Sequence, residues 1–325
     1  MSLGLFALRR LLWTIPVLLV VVTLLFGMMR AIGGDPLRSG QLPGLSNSTW
    51  NKTADPKPAA IERNLRRRFG LDRPWHVQYV QHIRRVVTFD FGPAIAFRDR
   101  TVNSILLRQG RVSLELGLLA FGWALALGLP LGLVSALRTG TGTDAAARTI
   151  TALAYGLPNF LVGTLLVYVL AVRWRALPTS GWDSWSAKLL PSFTLGLLPA
   201  GYVARLLRAS LLETMREDYV RAAVAKGLRR TRIVLVHVLP NSLVPVVTAL
   251  GPLVGYLVTG SFVIEVVFNV PGIGRYYVSA VLARDYPLVL GLTTVLTFTI
   301  VIANLLVDVA HAALDPRVRD ARTAG

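Results

Sequence analysis

An all-α membrane protein with six spanning helices is the fold class this sequence predicts, and three observations carry it. Of the 325 residues, 53% are apolar and only 16% are charged, an imbalance foreign to water-soluble domains. The apolar residues gather in long runs that hold no Asp, Glu, Lys or Arg, instead of spreading at helix or strand spacing. The basic residues, which bring the net charge to +18, fall mostly between those runs. That placement fits membrane orientation and anionic lipid rather than nucleic acid.

The first run, residues 11–29, follows Arg9 and Arg10 as a secretory signal would. It is longer than a usual signal core, and Arg30-Ala31-Ile32-Gly33-Gly34-Asp35-Pro36 offers no small-x-small cleavage pattern, so an uncleaved helix is expected. Residues 32–110 then form an extracytoplasmic insertion. Up to about residue 57 it is rich in Gly, Ser, Asn and Pro and reads as coil, while 59–69 and 75–87 read as short helices of a small cap. Two glycosylation sequons, at Asn47 and Asn51, are read as chance.

The remaining uncharged runs are 116–137, 149–172, 189–204, 238–264 and 286–307. The fourth span, at 189–204, is short but continues through Arg205-Leu206-Leu207-Arg208, whose side chains can snorkel to the interface. Gly156, Gly163, Gly196, Gly201, Gly251, Gly255 and Gly260 permit close approach of helices, and Pro158, Pro191, Pro199, Pro245 and Pro252 can loosen backbone pairing.

Orientation follows from the loop at 205–240, which carries Arg205, Arg208, Arg216, Arg221, Lys226, Arg229, Arg230 and Arg232 against Glu213, Glu217 and Asp218. It is expected in the cytoplasm, with both termini on the same side; the long 32–110 insertion escapes the rule despite its arginines. The chain is thus expected to divide into 1–31 (N-terminus and first span), 32–110 (insertion), 111–314 (core membrane domain holding the 205–240 loop) and 315–325 (cytoplasmic tail).

The sequence holds little that could carry catalysis. There is no Cys, no G-x-x-x-x-G-K-[ST] phosphate loop, no H-E-x-x-H and no G-x-S-x-G elbow. His76, His82, His237 and His311 are scattered over different segments, so no metal site is expected. The pairs Gly140-Thr141-Gly142 and Gly272-Ile273-Gly274 follow no expected strand and read as turns. The spans lack the ionisable groups a proton-coupled transporter needs, and Glu265 and Asp308 stand at span boundaries as interfacial residues. Energy for any transport must then come from outside this chain.

The informative segment is Tyr219-Val220-Arg221-Ala222-Ala223-Val224-Ala225-Lys226-Gly227-Leu228, followed by Leu239-Pro240-Asn241. It reads as a helix, a break and a second helix. Ala222, Ala223 and Ala225 let another surface come close, Gly227 permits the turn, and Pro240 marks entry to the fifth span. The bland alternative is a solvated basic turn.

The spacing of Ala222-Ala223, Gly227 and Leu239-Pro240 resembles the EAA loop of ABC importer permeases. Arg221 replaces that family's leading Glu, as in its oligopeptide and dipeptide branch, and His237 stands where a hydrophobic residue is usual. Gly34-Asp35-Pro36, Phe69-Gly70-Leu71-Asp72-Arg73-Pro74, Phe89-Asp90-Phe91-Gly92, the string from Phe262 to Phe268, Pro271-Gly272-Ile273-Gly274, Arg284-Asp285-Tyr286-Pro287 and Leu314-Asp315-Pro316-Arg317 are similar to the same branch, so the likeness covers nearly the whole chain.

The resemblance implies a type I ABC importer permease fold in a bacterial cytoplasmic membrane. It implies a second homologous permease subunit, two ABC ATPase subunits that bind ATP and Mg, and an extracytoplasmic solute-binding protein. This chain would carry no cofactor and no ATPase site of its own. Arg221, Ala222, Ala223, Lys226, Gly227, Leu239 and Pro240 are the expected coupling residues. Trp75, Tyr79, Pro271, Gly272 and Gly274 are the expected substrate-receiving residues of the cap. The implied cargo is an oligopeptide or dipeptide, with nickel, glutathione or another small solute as alternatives. The rival class is a channel or receptor scaffold without turnover.

Overall fold

The computed structural model describes residues 3–32 and 63–314, apart from 65, 68, 98 and 99. The expected coil, both sequons, Gly34-Asp35-Pro36, the start of the 59–69 helix and the tail after Leu314 lie outside the described residues, as do the side chains of Asp308 and His311. Helices make up the described chain: α1 (Leu3–Ile32), α2 (Trp75–Thr88), α3 (Val102–Leu137), α4 (Gly142–Gly156), α5 (Asn159–Leu166), α6 (Trp185–Thr214), α7 (Asp218–Ala225), α8 (Leu239–Val267), α9 (Ile273–Leu282) and α10 (Tyr286–Leu314). π-helical turns extend α5 over Val167–Arg173 and lead into α8 over Ile233–Val238.

Among the described residues, five segments are long and apolar enough to cross a bilayer: Leu12–Ala31, Val102–Leu137, Trp185–Thr214, Arg230–Leu257 and Tyr286–Val307. The run at 149–172, expected as one helix, is instead shared between α4 and the α5 segment, which meet at 106° and make the sixth span only as a pair. The cause is local. Leu157 precedes Pro158, whose ring clashes with a helical predecessor, and Leu157 accordingly sits at φ −93, ψ 137.

The chain divides into two compact units. In the unit of Met1–Arg10, Ser113–Pro271 and Ile300–Gly325, α6 is the central helix. Leu190, Leu195, Val203, Leu207 and Leu211 on it are each 3% exposed or less. Helices α3 and α6 meet backbone to backbone. A Cβ added at Gly128 would stand 2.8 Å from the Ala200 carbonyl oxygen, at Gly132 2.7 Å from that of Ala204, and at Gly196 2.5 Å from that of Ala120. Small residues at four-residue spacing on both helices allow this contact, where dispersion replaces the absent hydrophobic drive. Of the glycines marked from sequence, Gly163, Gly201, Gly251 and Gly255 also face close neighbours, whereas Gly156 has nothing within 4 Å. The side chain position of Gly260 lies outside the described residues.

Several polar side chains in this unit are paired. Asp144, 1% exposed, accepts from Ser135 Oγ at 2.6 Å and Gly140 N at 3.0 Å and pairs with Arg208 at 3.3 Å. This fastens the ends of α3 and α4 to α6. Arg205 lies 4.4 Å over the Tyr155 ring, so both arginines expected to snorkel are held by protein groups. Glu115 accepts from Lys188 Nζ at 2.6 Å and Trp182 Nε1 at 3.0 Å, which ties the stretch before α6 to α3. Glu265, expected at the interface, is instead fully buried and accepts from Ser113 Oγ at 2.6 Å and Ser261 Oγ at 3.0 Å. Burial of a carboxylate requires such donors.

The other unit is Leu11–Val112 with Gly272–Thr299, built on Phe91, Val102, Ile105, Ala280, Leu288 and Leu292. Asp285 caps α10 from its N-cap position, accepting from Leu288 N at 3.1 Å, and also accepts from Ile95 N at 2.7 Å and Ala96 N at 2.8 Å. Helix α2 leans on α1 through Tyr79, whose hydroxyl is 2.8 Å from that of Thr23, and through Phe26, which stacks on His82.

His82 is 7% exposed. Burial, reinforced by the neighbouring Arg85 charge, lowers its pKa from 6.5 to about 4. The unfolded chain therefore takes up a proton that the folded one refuses. The stability this group contributes is complete above pH 6.5 and falls as the pH drops toward 4. Moving from pH 7 to pH 5 is expected to weaken the α1–α2 packing by about 2 kcal/mol. Limited proteolysis in a neutral detergent should show faster cleavage in α2 at pH 5 in the wild type and a flat response in His82→Gln; equal pH responses in the two would refute it.

Candidate functional site

The segment between α6 and α8 folds as helix, turn and helix, and its geometry follows from a few residues. Helix α7 ends in a Schellman turn: Gly227 N donates to Val224 O at 2.9 Å and Leu228 N to Ala223 O at 3.3 Å. Gly227 has φ +74 and no atom within 4 Å of its missing Cβ. Glycine is thus required by the left-handed backbone, not by lack of room.

Helix α7 has two faces. Val220 and Ala223, 6% and 7% exposed, pack into the cluster of Leu207, Leu211, Ile233 and Val238, and Leu228 rests against it. Arg221, Ala222, Ala225, Lys226 and Gly227 are exposed, and so is Val224 at 61%. Of the alanines expected to admit a partner, Ala222 and Ala225 face outward while Ala223 faces the chain's own core. Arg221 makes a 3.3 Å pair with Asp218, but both are exposed, which makes the pair worth little.

The return arm begins with Arg230–Arg232 and the π-turn and runs on into α8, where Pro240 occupies the first turn. Leu239 is half-buried against the core cluster and Pro240 is exposed. The two arms are clamped together. Tyr219 Oη donates to His237 O at 3.3 Å and accepts from Asn241 Nδ2 at 2.9 Å, and Asn241 also donates to His237 O at 3.0 Å. The sequence gives Tyr219 and Asn241 no visible role, since nothing local signals a pairing across 22 positions. Together these contacts make α7 a short lever seated on α6 and α8, with an outer surface of small, apolar and cationic groups.

The expected cap residues occupy different settings. Trp75 opens α2 and is 61% exposed, while Tyr79 is engaged with Thr23. Gly272 and Gly274 are buried at the start of α9, and Pro271 is exposed. The outward-facing members are therefore Trp75 and Pro271. No group of three or more His, Cys, Asp or Glu side chains suited to a metal exists among the described residues.

Comparison with known proteins places this geometry. Residues 128–320 match the family described as binding-protein-dependent transport system inner membrane component. The chain is 38% identical to the dipeptide transport system permease protein DppB of Bacillus subtilis over 93% of this chain and 94% of that one. It is 37% identical to the glutathione transport system permease protein GsiC of Salmonella typhimurium, covering 97% and 98% of the two chains. Identity to the oligopeptide transport system permease protein OppB of Escherichia coli is 35%, over 97% and 99%. Among solved structures, an inward-facing methionine ABC transporter aligns with TM-score 0.52 and 19% identity over 65% of this chain and 96% of that one. An amino acid ABC transporter aligns with TM-score 0.53 and 16% identity over 64% and 94%. These last two show the fold alone.

Proposed function

We propose a transport cycle for this chain from one premise: it belongs to the family of binding-protein-dependent transport system inner membrane components, as a permease subunit of an ABC importer. It is a multi-pass protein of the bacterial plasma membrane, and such a permease works with ATPase and binding-protein partners. In our reading the assembly holds a second homologous permease, two ATPase subunits that bind ATP and Mg, and one extracytoplasmic binding protein. The 205–240 loop and both termini lie in the cytoplasm, and this chain lacks an ATPase site.

The observation that supports coupling through α7 is its division into a face sunk in the core and a face left open. The ATPase would grip Ala222, Val224, Ala225 and Gly227, with Arg221 and Lys226 at the rim. Because Val220, Ala223 and the Tyr219 clamp bind the lever to α6 and α8, its displacement moves the spans rather than itself. ATP binding would draw the two ATPases together and shift the spans between inward-open and outward-open packings. The cargo path would run between the two permeases, beside the third to sixth spans, and Trp75 and Pro271 would face the binding protein.

The cargo we propose is a dipeptide or oligopeptide. The relatives named for dipeptide, oligopeptide and glutathione transport share a peptide-like substrate, and glutathione or nickel remain the alternatives to test beside it.

Two measurements test this reading. Val224→Asp and Gly227→Glu should reduce ATPase co-purification at least tenfold while membrane insertion stays normal; stoichiometric ATPase in both variants would remove α7 from the contact. Proteoliposomes holding the full assembly and its binding protein should accumulate labelled dipeptide only with ATP. Uptake without ATP, or none of any candidate cargo, would favour a channel or scaffold.

A further inference from the structure

The ends of three helices in the unit that holds Ser113–Pro271 enclose a cavity of about 390 Å³. Ser135 comes from the last turn of α3, Arg148 and Tyr155 from α4, and Arg205 and Arg208 from the last turns of α6. Among the described residues, the one carboxylate paired with these three guanidiniums is that of Asp144. It accepts from Ser135 Oγ and Gly140 N and pairs with Arg208 at 3.3 Å and Arg148 at 3.5 Å. Arg205 has no share in it. Its guanidinium lies 4.4 Å over the Tyr155 ring and donates no hydrogen bond among the described residues. Three cationic groups around one carboxylate leave an excess of positive potential, which an anion in the cavity would relieve.

The same arginines fix the depth of the cavity. Arg148 directly precedes the uncharged run 149–172, and Arg205 directly follows the uncharged run 189–204. Both therefore stand where a span leaves the hydrocarbon, at headgroup level. The apolar part of the lining lies deeper, with Leu131 about one turn below Ser135 and Tyr155 about two turns below Arg148. Beside it on α4, Ile150 and Leu153 are 51% and 54% exposed, so the cavity adjoins an apolar face of the kind that lipid solvates. A cationic rim over an apolar floor at this depth suits an amphiphile better than a soluble anion.

We infer that this cavity binds the phosphate of one anionic phospholipid from the leaflet on the side of the 205–240 loop, with an acyl chain running along Leu131 and Tyr155. Arg205 and Arg148 donate charge-assisted hydrogen bonds to the phosphate, while Arg208 stays with Asp144 and Ser135. Tyr155 holds the Arg205 guanidinium at the rim. The headgroup thereby bridges α4 and α6. The inference rests on the membrane placement of these spans, and neither the cargo nor the ATPase contact enters it.

The test is native mass spectrometry of the full chain, alone and in the assembled importer, released from nanodiscs of phosphatidylcholine with or without phosphatidylglycerol. The wild type should retain one phosphatidylglycerol in preference to phosphatidylcholine. Arg148→Gln and Arg205→Gln should each weaken that preference about fivefold, and the double variant about twenty-fivefold. Arg148→Lys and Arg205→Lys, which keep the charge, should preserve most of it and so separate loss of the site from loss of the fold. Arg138→Gln, on α3 outside the lining, should leave it unchanged. Displacement of the lipid by millimolar inorganic phosphate would identify a soluble-anion site and overturn the lipid. Equal retention in wild type and double variant, or an equal loss in Arg138→Gln, would overturn the site in favour of diffuse surface charge. Retention by the chain alone but not by the assembly would assign this face to a neighbouring subunit and overturn the inference, as would no retained phosphatidylglycerol at all.

Discussion

Replacing Gly196 by valine is expected to destabilise the membrane core by about 3 kcal/mol or more. A Cβ at this position would meet the Ala120 carbonyl oxygen at 2.5 Å and the Trp123 Cβ at 2.9 Å. The first of these is backbone of α3, which cannot turn aside as a flexible side chain can. Relief requires moving α3 away from α6 as a rigid body, and the same motion opens the contacts at Gly128 and Gly132. In a bilayer the loss is not recovered by a hydrophobic drive, because lipid solvates the exposed faces as well as protein does. Gly132→Val should behave alike, since its Cβ would stand 2.7 Å from Ala204 O. Gly156→Ala is the control: nothing lies within 4 Å, and stability should change by less than about 1 kcal/mol. Unfolding midpoints of the detergent-purified protein decide the matter, and wild-type behaviour of Gly196→Val would mean that α3 and α6 do not touch this closely.

Asp285→Ala is expected to cost about 3–5 kcal/mol in the other unit, by a different route. Asp285 is fully buried, with Oδ2 accepting from Ile95 N and Ala96 N and Oδ1 from Leu288 N. Burial pushes its carboxyl up and the three amides pull it down, with a net upward shift. Alanine would leave three amides without an acceptor and would release the chain around Ile95 from the start of α10. Asp285→Asn keeps an acceptor oxygen without the charge and should lose roughly half as much. Proteolytic release near residues 93–101, together with unfolding midpoints, reads both variants. If alanine and asparagine lose equally, the hydrogen bonds are not what the carboxyl contributes.

These two residues show how differently the molecule was legible in advance. Gly196 was marked from sequence as one of several small residues that permit close helix approach, and it is at such a contact. Gly156 fits the same reasoning, yet a Cβ there would meet nothing within 4 Å, while Gly128 and Gly132, which that reasoning does not single out, are at such a contact. Composition identifies residues able to approach a neighbour, but which of them does so depends on the rotation of each helix about its axis. In the sequence Asp285 is one letter of Arg284-Asp285-Tyr286-Pro287. Two of its three partners, Ile95 and Ala96, lie about 190 positions earlier in the chain, so no local pattern could reveal them.

The same division runs through the 205–240 loop. Gly227 was readable because the need for a left-handed residue after a helix is a property of a few adjacent dihedrals. That Ala223 turns into the core while Ala222 and Ala225 turn out was not, since all three are small and compatible with either face. The break at Leu157-Pro158 had a local signal, a residue before proline, that was outweighed by the uncharged length of the run.

By itself the sequence determined the membrane class, the approximate spans and the turn at Gly227, because transfer free energies and backbone preferences act residue by residue. Tertiary structure alone decided the inward and outward faces of α7, the burial of Glu265 and the long-range partners of Asp285. Those features arise when distant segments compete for the same space and the same hydrogen bonds, and that competition has no expression in any short stretch of chain.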